Sequence, residues 1–97
     1  METAGAARQQ TIQLLELRES YTARLKAKTR ARDLLDQLFM NPYMTMVRAA
    51  QLLNVSPATA RQAVLDLQQA GILEEITGRK WGRLYVARSI LDAIETT

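Results

Sequence analysis

Three cations and one indole lie within five consecutive positions near the C-terminal end of the chain: Arg79, Lys80, Trp81 and Arg83. Closely spaced arginines and lysines on a surface are typical of sites that bind phosphate groups. A tryptophan beside them can pack on a sugar, on the edge of a base or on a partner protein, unless it folds back on the chain around it. Phosphate binding is therefore the chemistry for which this cluster is best equipped.

A second basic cluster lies in the N-terminal third of the chain. Five basic residues and no acidic residue occur between positions 24 and 32: Arg24, Lys26, Lys28, Arg30 and Arg32. The whole chain carries 13 basic and 10 acidic residues, so its net charge is only +3 and the two clusters stand out. This second cluster is either a phosphate footprint or the solvated face of a helix, which is the more frequent role of such a run.

Composition excludes most catalytic chemistry. The chain has no histidine and no cysteine. The common zinc sites, histidine-based acid–base catalysis and the serine–histidine and cysteine–histidine nucleophiles all require one of them. The four glycines are scattered and form no phosphate loop. We therefore predict no catalytic residues, no metal and no cofactor, and a protein that is not an enzyme.

The hydropathy pattern predicts a protein without a membrane partner. No apolar run approaches the ~20 residues that are needed to cross a bilayer. Residues 1–10 are small and polar and lack the apolar stretch of a signal peptide. A cytoplasmic location is the resulting expectation.

The elements that must position the basic residues begin with a helix and a sharp turn. Residues up to about 40 are predicted to be helical, and Asn41-Pro42 ends that segment because a residue before proline avoids the helical conformation. Thr45 is a suitable N-cap for a short helix over residues 46–53. Asn54 follows where the chain must turn, and asparagine tolerates the left-handed conformation better than most residues.

The next predicted helix follows this turn. Ser56 is its N-cap and Pro57 its first residue, the position at which a helix accepts proline. Gly71 ends it as the residue after the C-cap. Its buried stripe consists of Ala60, Val64 and Leu67.

Two short strands complete the predicted domain. Residues 72–77 and 84–87 are rich in β-branched and apolar side chains, and the loop between them is bounded by glycines, which is typical of a β-hairpin. Ser89 is expected to cap a last helix that ends at Glu95. This order predicts a mainly α winged helix-turn-helix over residues 30–97, with a three-helix core and a β-hairpin wing. The predicted core contains Leu35, Leu38, Ala50, Leu53, Val55, Val64 and Leu67.

In this fold the helix after the turn usually enters the major groove of DNA, and the wing reaches an adjacent groove or the backbone. Gln62 can then contact adenine, and Arg61 guanine or phosphate. Ser56 and Thr59, at the helix N-terminus, suit phosphate, as does Arg48 on the preceding helix. The helix is electrically neutral, however, because Asp66 is expected to offset Arg61, and Leu65 is apolar where solvent or DNA is expected. The alternative is therefore a helix that only completes the core.

The segment before the domain, residues 1–29, is predicted to be a linker or dimerisation helix. Leu14, Leu17, Tyr21 and Leu25 recur at helical spacing and form one apolar stripe. A second stripe at residues 31–38 is rotated from the first, so a boundary is expected near Lys28–Thr29. An apolar helix face needs cover. The cover is expected to come from a second copy of the chain or from a domain that precedes it, whereas folding back on its own domain is the competing outcome.

Several short runs resemble the C-terminal region of Fic-family proteins (filamentation induced by cAMP). The similarity spans about residues 14–95, and its best markers are Ile76-Thr77-Gly78-Arg79 in the wing and Leu84-Tyr85-Val86-Ala87 in the following strand. Those proteins carry an upstream domain that transfers AMP to protein hydroxyls. The family's catalytic motif, His-Pro-Phe followed by Gly-Asn-Gly-Arg, is absent here, so none of its catalytic residues carries over. The resemblance implies an accessory module that joins or packs on a Fic domain.

Two functions from different classes remain open. One is a DNA-binding module of the transcription-regulator type, with double-stranded DNA as its partner. The other is a protein-interaction or dimerisation module that docks targets of an adenylyltransferase without binding DNA. The basic wing favours the first and the neutral helix favours the second. We expect the first, because the fold is built mainly to dock on DNA.

Overall fold

The computed structural model describes residues 3–78 and 80–95. Within these ranges the chain forms five helices and a three-stranded antiparallel sheet. In chain order the elements are α1 (Thr3–Leu25), α2 (Thr29–Leu38), β1 (Tyr43–Thr45), α3 (Met46–Leu53), α4 (Pro57–Gln69), β2 (Glu74–Glu75), β3 (Leu84–Val86) and α5 (Arg88–Glu95). The fold is thus mainly helical, as expected, and the predicted boundary near Lys28–Thr29 is the turn between α1 and α2.

The turn between α3 and α4 has the local structure that the sequence predicts. The hydroxyl of Thr45 accepts a hydrogen bond from the backbone N–H of Arg48 at 3.1 Å, which caps α3. Asn54 adopts the left-handed conformation, with φ 55° and ψ 51°. The hydroxyl of Ser56 accepts from the N–H of Thr59 at 3.3 Å and caps α4. These three residues fix the direction in which α4 leaves α3.

The sheet contains one strand that the sequence did not predict. Its strand order is β1-β3-β2, with both pairs antiparallel. In β1, Tyr43 lies opposite Val86 of β3, and the same Val86 faces Glu74 of β2. β1 is only three residues long, and its extended conformation depends on pairing with β3 rather than on a local pattern.

The predicted strand over residues 72–77 is reduced to Glu74–Glu75. The backbone N–H groups of Ile72 and Leu73 both donate to the carbonyl of Leu67, at 2.9 and 3.3 Å. These bonds close the end of α4 after Gly71, whose φ of 77° is the left-handed value expected of a helix-ending glycine. Residues 72 and 73 therefore belong to the helix terminus and not to the strand.

Ser89 was expected to cap the last helix, and this prediction is wrong. Helix α5 begins at Arg88, so Ser89 lies inside its first turn. The N–H of Ala87 donates to the carbonyl of Pro42 at 2.8 Å, and the carbonyl of Ala87 accepts from the N–H of Leu91 at 2.9 Å. Ala87 thus lies between the end of β3 and the start of α5, and its two backbone groups bond to the residue before β1 and to a residue of α5, respectively.

The core lies between the helices and one face of the sheet. The predicted stripe of Ala60, Val64 and Leu67 is fully buried on α4, and Leu35 and Leu38 are buried on α2. Three further predicted core residues are only half-buried and pack against the margin of this core: Ala50, Leu53 and Val55. The sheet adds large buried side chains that the sequence analysis did not assign to the core, namely Met44, Tyr85 and Val86.

The proposed dimer stripe on α1 is corrected by the structure. Tyr21 and Leu25 are 3% and 1% exposed within a single chain, and Leu14 and Leu17 are half-buried against the same core. Helix α1 packs on α5 and α2. The helix therefore folds back on its own chain, because α5 supplies the apolar cover that the stripe needs.

One arginine links α1 to the end of α4. The guanidinium of Arg24 donates to the carbonyl of Ala70 at 3.2 Å and lies 5.2 Å from the centre of the Tyr21 ring. A cation at a helix C-terminus is favourable because unpaired carbonyls carry partial negative charge there. This contact and the burial of Leu25 hold the α1–α2 turn beside α4.

No helix in the described part of the chain is long and apolar enough to cross a membrane.

The burial of α1 can be tested with two leucines of the same helix. Leu25→Ala should lower the free energy of unfolding by about 2–5 kcal/mol, because it leaves a cavity in the core. Leu15→Ala should change it by less than about 0.5 kcal/mol, because Leu15 is 57% exposed. The same side-chain atoms are removed at both positions, so urea unfolding followed by circular dichroism compares a buried leucine with an exposed one. Equal effects would contradict the packing of α1.

The turn before α4 gives a second test. Asn54→Ala should destabilise the fold by about 1 kcal/mol, because a Cβ-bearing residue without a short polar side chain tolerates the left-handed region poorly. Asn54→Gly should restore or exceed the wild-type stability in the same unfolding experiment. A glycine variant that is as unstable as the alanine variant would show that the conformation of Asn54 does not limit stability.

Candidate functional site

The outward face of α4 is opposite its buried stripe. With about 100° between successive helical residues, Ala58, Gln62 and Gln69 point away from the core, and all three are exposed. Leu65 lies on the same face but is half-buried. The face that the sequence assigned to a ligand is therefore accessible, and it carries two polar side chains and two apolar ones.

Asp66 is the centre of a small polar network beside this face. The side-chain amide of Gln62 donates to Asp66 Oδ1 at 3.0 Å, and the Lys28 ammonium lies 3.3 Å from the same oxygen. Arg61 and Asp66 offset each other in the net charge of α4, as expected, but the two side chains do not pair with each other. Among the described residues, the Arg61 side chain has no hydrogen-bond or ion-pair partner, and it is exposed. Its charge is therefore available to a ligand.

Ser56 and Thr59 are occupied with the start of α4. Their hydroxyl oxygens are 3.0 Å apart, and the Ser56 hydroxyl also accepts from the Thr59 N–H. Ser56 is exposed and Thr59 is half-buried. A phosphate at this helix end would contact residues that already form the cap.

Arg48 lies in the first turn of α3. Its Nε is buried and has no hydrogen-bond partner among the described residues. A cation in the first turn of a helix is also unfavourable, because the unpaired N–H groups there carry partial positive charge. Arg48 therefore holds a charge that no carboxylate in the described part of the chain neutralises.

The base of the loop between β2 and β3 is organised by one carboxylate. Glu75 Oε2 accepts hydrogen bonds from the backbone N–H groups of Thr77 and Gly78, at 2.7 and 2.5 Å, and from the Thr77 hydroxyl at 2.5 Å. The Thr77 hydroxyl also accepts from the N–H of Leu84 at 3.2 Å, and the N–H of Ile76 donates to the carbonyl of Leu84 at 2.9 Å. The sequence analysis did not assign a role to Glu75.

These bonds change the acidity of Glu75. The hydrogen bond from the Thr77 hydroxyl is the largest effect and holds the pKa of the Glu75 carboxyl below its usual value. Desolvation, the next largest, raises this pKa, whereas the backbone N–H groups of Gly78 and Thr77 and the charge of Arg83 lower it further. Donors that point at the charged form stabilise it. The ionised carboxylate is thus the form that shapes the loop.

The loop itself presents the predicted cluster to solvent. Lys80, Trp81 and Arg83 are exposed, and Trp81 is 84% exposed. The Trp81 ring is therefore not folded back on the hairpin. Arg79, the fourth predicted member, lies outside the described residues.

The basic residues of positions 24–32 divide into two groups. Arg24 bonds to the end of α4, and the guanidinium of Arg32 donates to the carbonyl of Lys26 at 3.3 Å, which closes the α1–α2 turn. Lys28 reaches Asp66 on α4, whereas the exposed Arg30 side chain has no hydrogen-bond or ion-pair partner within the described ranges. Three residues of this run thus have contacts within the chain, and phosphate binding by the run stays a prediction.

A groove of about 500 Å³ separates the α1–α2 turn from α4. Its walls consist of Ala27, Lys28, Thr29, Arg30 and Ala31 on one side and Ala58, Thr59, Gln62, Ala63 and Asp66 on the other. On the helical projection of α4, this groove borders one flank of the outward face, and Arg61 borders the opposite flank. Lys28 and Arg30 were not assigned to the site from sequence, because a run of charges does not reveal which helix it packs beside.

No protein-family model matches the chain, and no curated protein matches it. Function is therefore inferred from the side chains described above.

The role of Glu75 predicts a titration. Because its folded pKa is depressed, the carboxylate stabilises the loop above the unfolded pKa, and this contribution is lost as the pH falls through the lower, folded pKa. The backbone amide resonances of Thr77 and Gly78 should shift with a midpoint below that of glutamate in an unstructured peptide. Glu75→Gln should abolish this transition, whereas Glu74→Gln, next to it, should leave it in place. A midpoint at the ordinary value would contradict the bonding described here.

Proposed function

We propose that this chain is a winged helix-turn-helix module that binds double-stranded DNA and has no catalytic role. Helix α4 enters the major groove with its outward face toward the bases. The loop between β2 and β3 is the wing and contacts the backbone or an adjacent groove.

The arrangement of charge around α4 carries this proposal. A helix in the major groove lies between two phosphate backbones. Arg61 of α4 lies on one flank of the outward face of this helix. Lys28 and Arg30, at the α1–α2 turn, lie along the other flank. A helix that only completed a core would need no cations on both flanks.

Direct contacts follow from the same placement. The exposed Gln62 amide can form the bidentate pair with adenine, and Arg61 can reach guanine or phosphate. Arg48, whose charge no described carboxylate neutralises, is a further phosphate ligand from α3 in this proposal. Lys80, Trp81 and Arg83 supply the wing contacts. Ser56 and Thr59 contribute less than expected, because each already bonds to the other.

We further propose that the module is the accessory part of a Fic-family protein. This part rests on the resemblance over about residues 14–95. A Fic motif in the coding sequence adjacent to this chain would support it, and an uninterrupted unrelated sequence there would count against it.

A protein-docking surface is the second candidate. Three large apolar side chains are strongly exposed, namely Met40, Val47 and Trp81. Val47 is the second residue of α3, and Trp81 lies in the wing. Both are therefore on segments that would also contact DNA. Aromatic side chains and methionine are enriched in protein interfaces. Binding of duplex DNA decides between the two candidates.

Salt dependence is the direct measurement. A fluorescent duplex of about 20 base pairs should bind with a log Kd that rises linearly with log salt, because cations displace counterions from the phosphates. Arg61→Ala should flatten the slope by about 0.9, and Lys80→Ala with Arg83→Ala by about 1.8.

Arg18→Ala is the matched control. It also removes one charge, but the Arg18 guanidinium is paired with Asp36 at 2.8 Å on another part of the surface. It should leave the slope nearly unchanged. Flattening by all variants alike would show that only net charge matters. No binding up to about 100 μM at physiological salt, beyond the usual non-specific range, would exclude the DNA proposal and leave protein docking.

A further inference from the structure

We propose that the groove between the α1–α2 turn and α4 is a second binding site for a DNA backbone phosphate, and that the Asp66 carboxylate pairs with Lys28 of this groove in the free protein. This inference rests on the proposed DNA binding. It adds a site on a part of the chain that precedes the helix-turn-helix, and it assigns Asp66 as the group that must be displaced.

The groove has the dimensions and donors for a phosphate. Its volume of about 500 Å³ is open to solvent, and Lys28 and Arg30 stand on one wall. Lysine binds phosphate as a mobile point charge with three donors, and arginine adds a planar fork. Thr59 and Gln62 stand on the opposite wall, so a phosphodiester in the groove would lie directly beside the outward face of α4.

A carboxylate of the chain itself, that of Asp66, already contacts the Lys28 ammonium in this groove. The Asp66 side chain is 13% exposed, and its Oδ1 is in contact with both the Lys28 ammonium and the Gln62 amide. Lys28 is 53% exposed and reaches Asp66 from the opposite wall of the groove. The carboxylate shows that Lys28 can hold an oxyanion here, and Lys28 is the solvent-exposed partner, so its ammonium can turn from Asp66 to a phosphate in the groove.

Displacement of Lys28 would also affect base contacts. Gln62 and Lys28 share one oxygen of Asp66. When a phosphate draws Lys28 away, Asp66 is left with the Gln62 amide alone, and it fixes the orientation of that amide toward the major groove. Phosphate binding on the flank and base contact by Gln62 are thereby coupled through one carboxylate. Before this transfer, Asp66 competes with the phosphate for the Lys28 ammonium.

The experiment measures the affinity for the same duplex across a series of salt concentrations. Lys28→Ala and Arg30→Ala should each flatten the log Kd against log salt slope by about 0.9. Asp66→Asn should tighten binding several-fold at low salt, because it removes the competing charge and keeps an oxygen for Gln62. Asp33→Asn, which removes one acidic charge from an exposed residue of α2 outside the groove, is the matched control and should have a smaller effect.

A double-mutant cycle tests the displacement itself. If Asp66 acts by holding Lys28, the gain from Asp66→Asn should shrink in the Lys28→Ala background. An equal gain in both backgrounds would show general repulsion and overturn the displacement. Thermal unfolding of each variant establishes that it is folded, and the lysine and arginine variants decide the site if Asp66→Asn fails to fold.

The outcomes separate this site from the proposed function. If Lys28→Ala and Arg30→Ala change the slope no more than Arg18→Ala while Arg61→Ala flattens it, the groove is not used, and DNA binding then depends on Arg61, Gln62 and the wing without the second flank. If the wild-type chain does not bind the duplex, both the proposed function and this site are wrong.

Discussion

Four buried alanines determine how closely α2, α3 and α4 approach one another: Ala31, Ala49, Ala60 and Ala63. The distance between packed helices depends on the size of the side chains at their contact. Small residues on all three helices allow close packing, and larger ones such as Leu34 and Leu67 then fill the space around them. The exposed face of α4 and the flanking groove are consequences of this packing, because a wider separation would move α4 away from the α1–α2 turn.

Electrostatic contacts divide the basic residues into those that hold the fold and those that remain available. Arg24 and Arg32 bond to backbone carbonyls, and Arg18 and Arg88 are paired with Asp36 and Glu74. None of these can neutralise a phosphate without giving up an internal contact. The net charge of +3 therefore understates how unevenly the free cations are distributed. Arg61 and Arg30 stand on the two flanks of one helix, which is a property of tertiary structure and not of composition.

Local signals predicted local structure well. The caps at Thr45 and Ser56, the left-handed Asn54 and the end of α4 at Gly71 each depend on a residue and its nearest neighbours, and all are confirmed. Predictions that required knowledge of a partner succeeded less often. The apolar stripe on α1 was detected, but its periodicity could not show that α5 covers it.

The same limit applies to the sheet and to the candidate site. β1 is formed by pairing with a strand about 40 residues away, so three residues of sequence could not reveal it. Lys28 and Asp66 are likewise separated by 38 positions and meet only in the folded chain. Glu75 was missed because a glutamate before a turn is common and only the three donors around it give it a role. Residues whose contribution comes from their own type were found, whereas those that act through a distant neighbour were not.

The hydrogen-bonded base of the loop between β2 and β3 separates the tip of that loop from the core. Glu75, Thr77 and Leu84 close the loop where it leaves the sheet, and the segment beyond them has Trp81 largely in solvent. Loops of this kind tolerate changes in length and composition, because little of the core depends on them. The tip of this loop can therefore accept insertions and substitutions at small cost in stability, without a change in the packing of the helices.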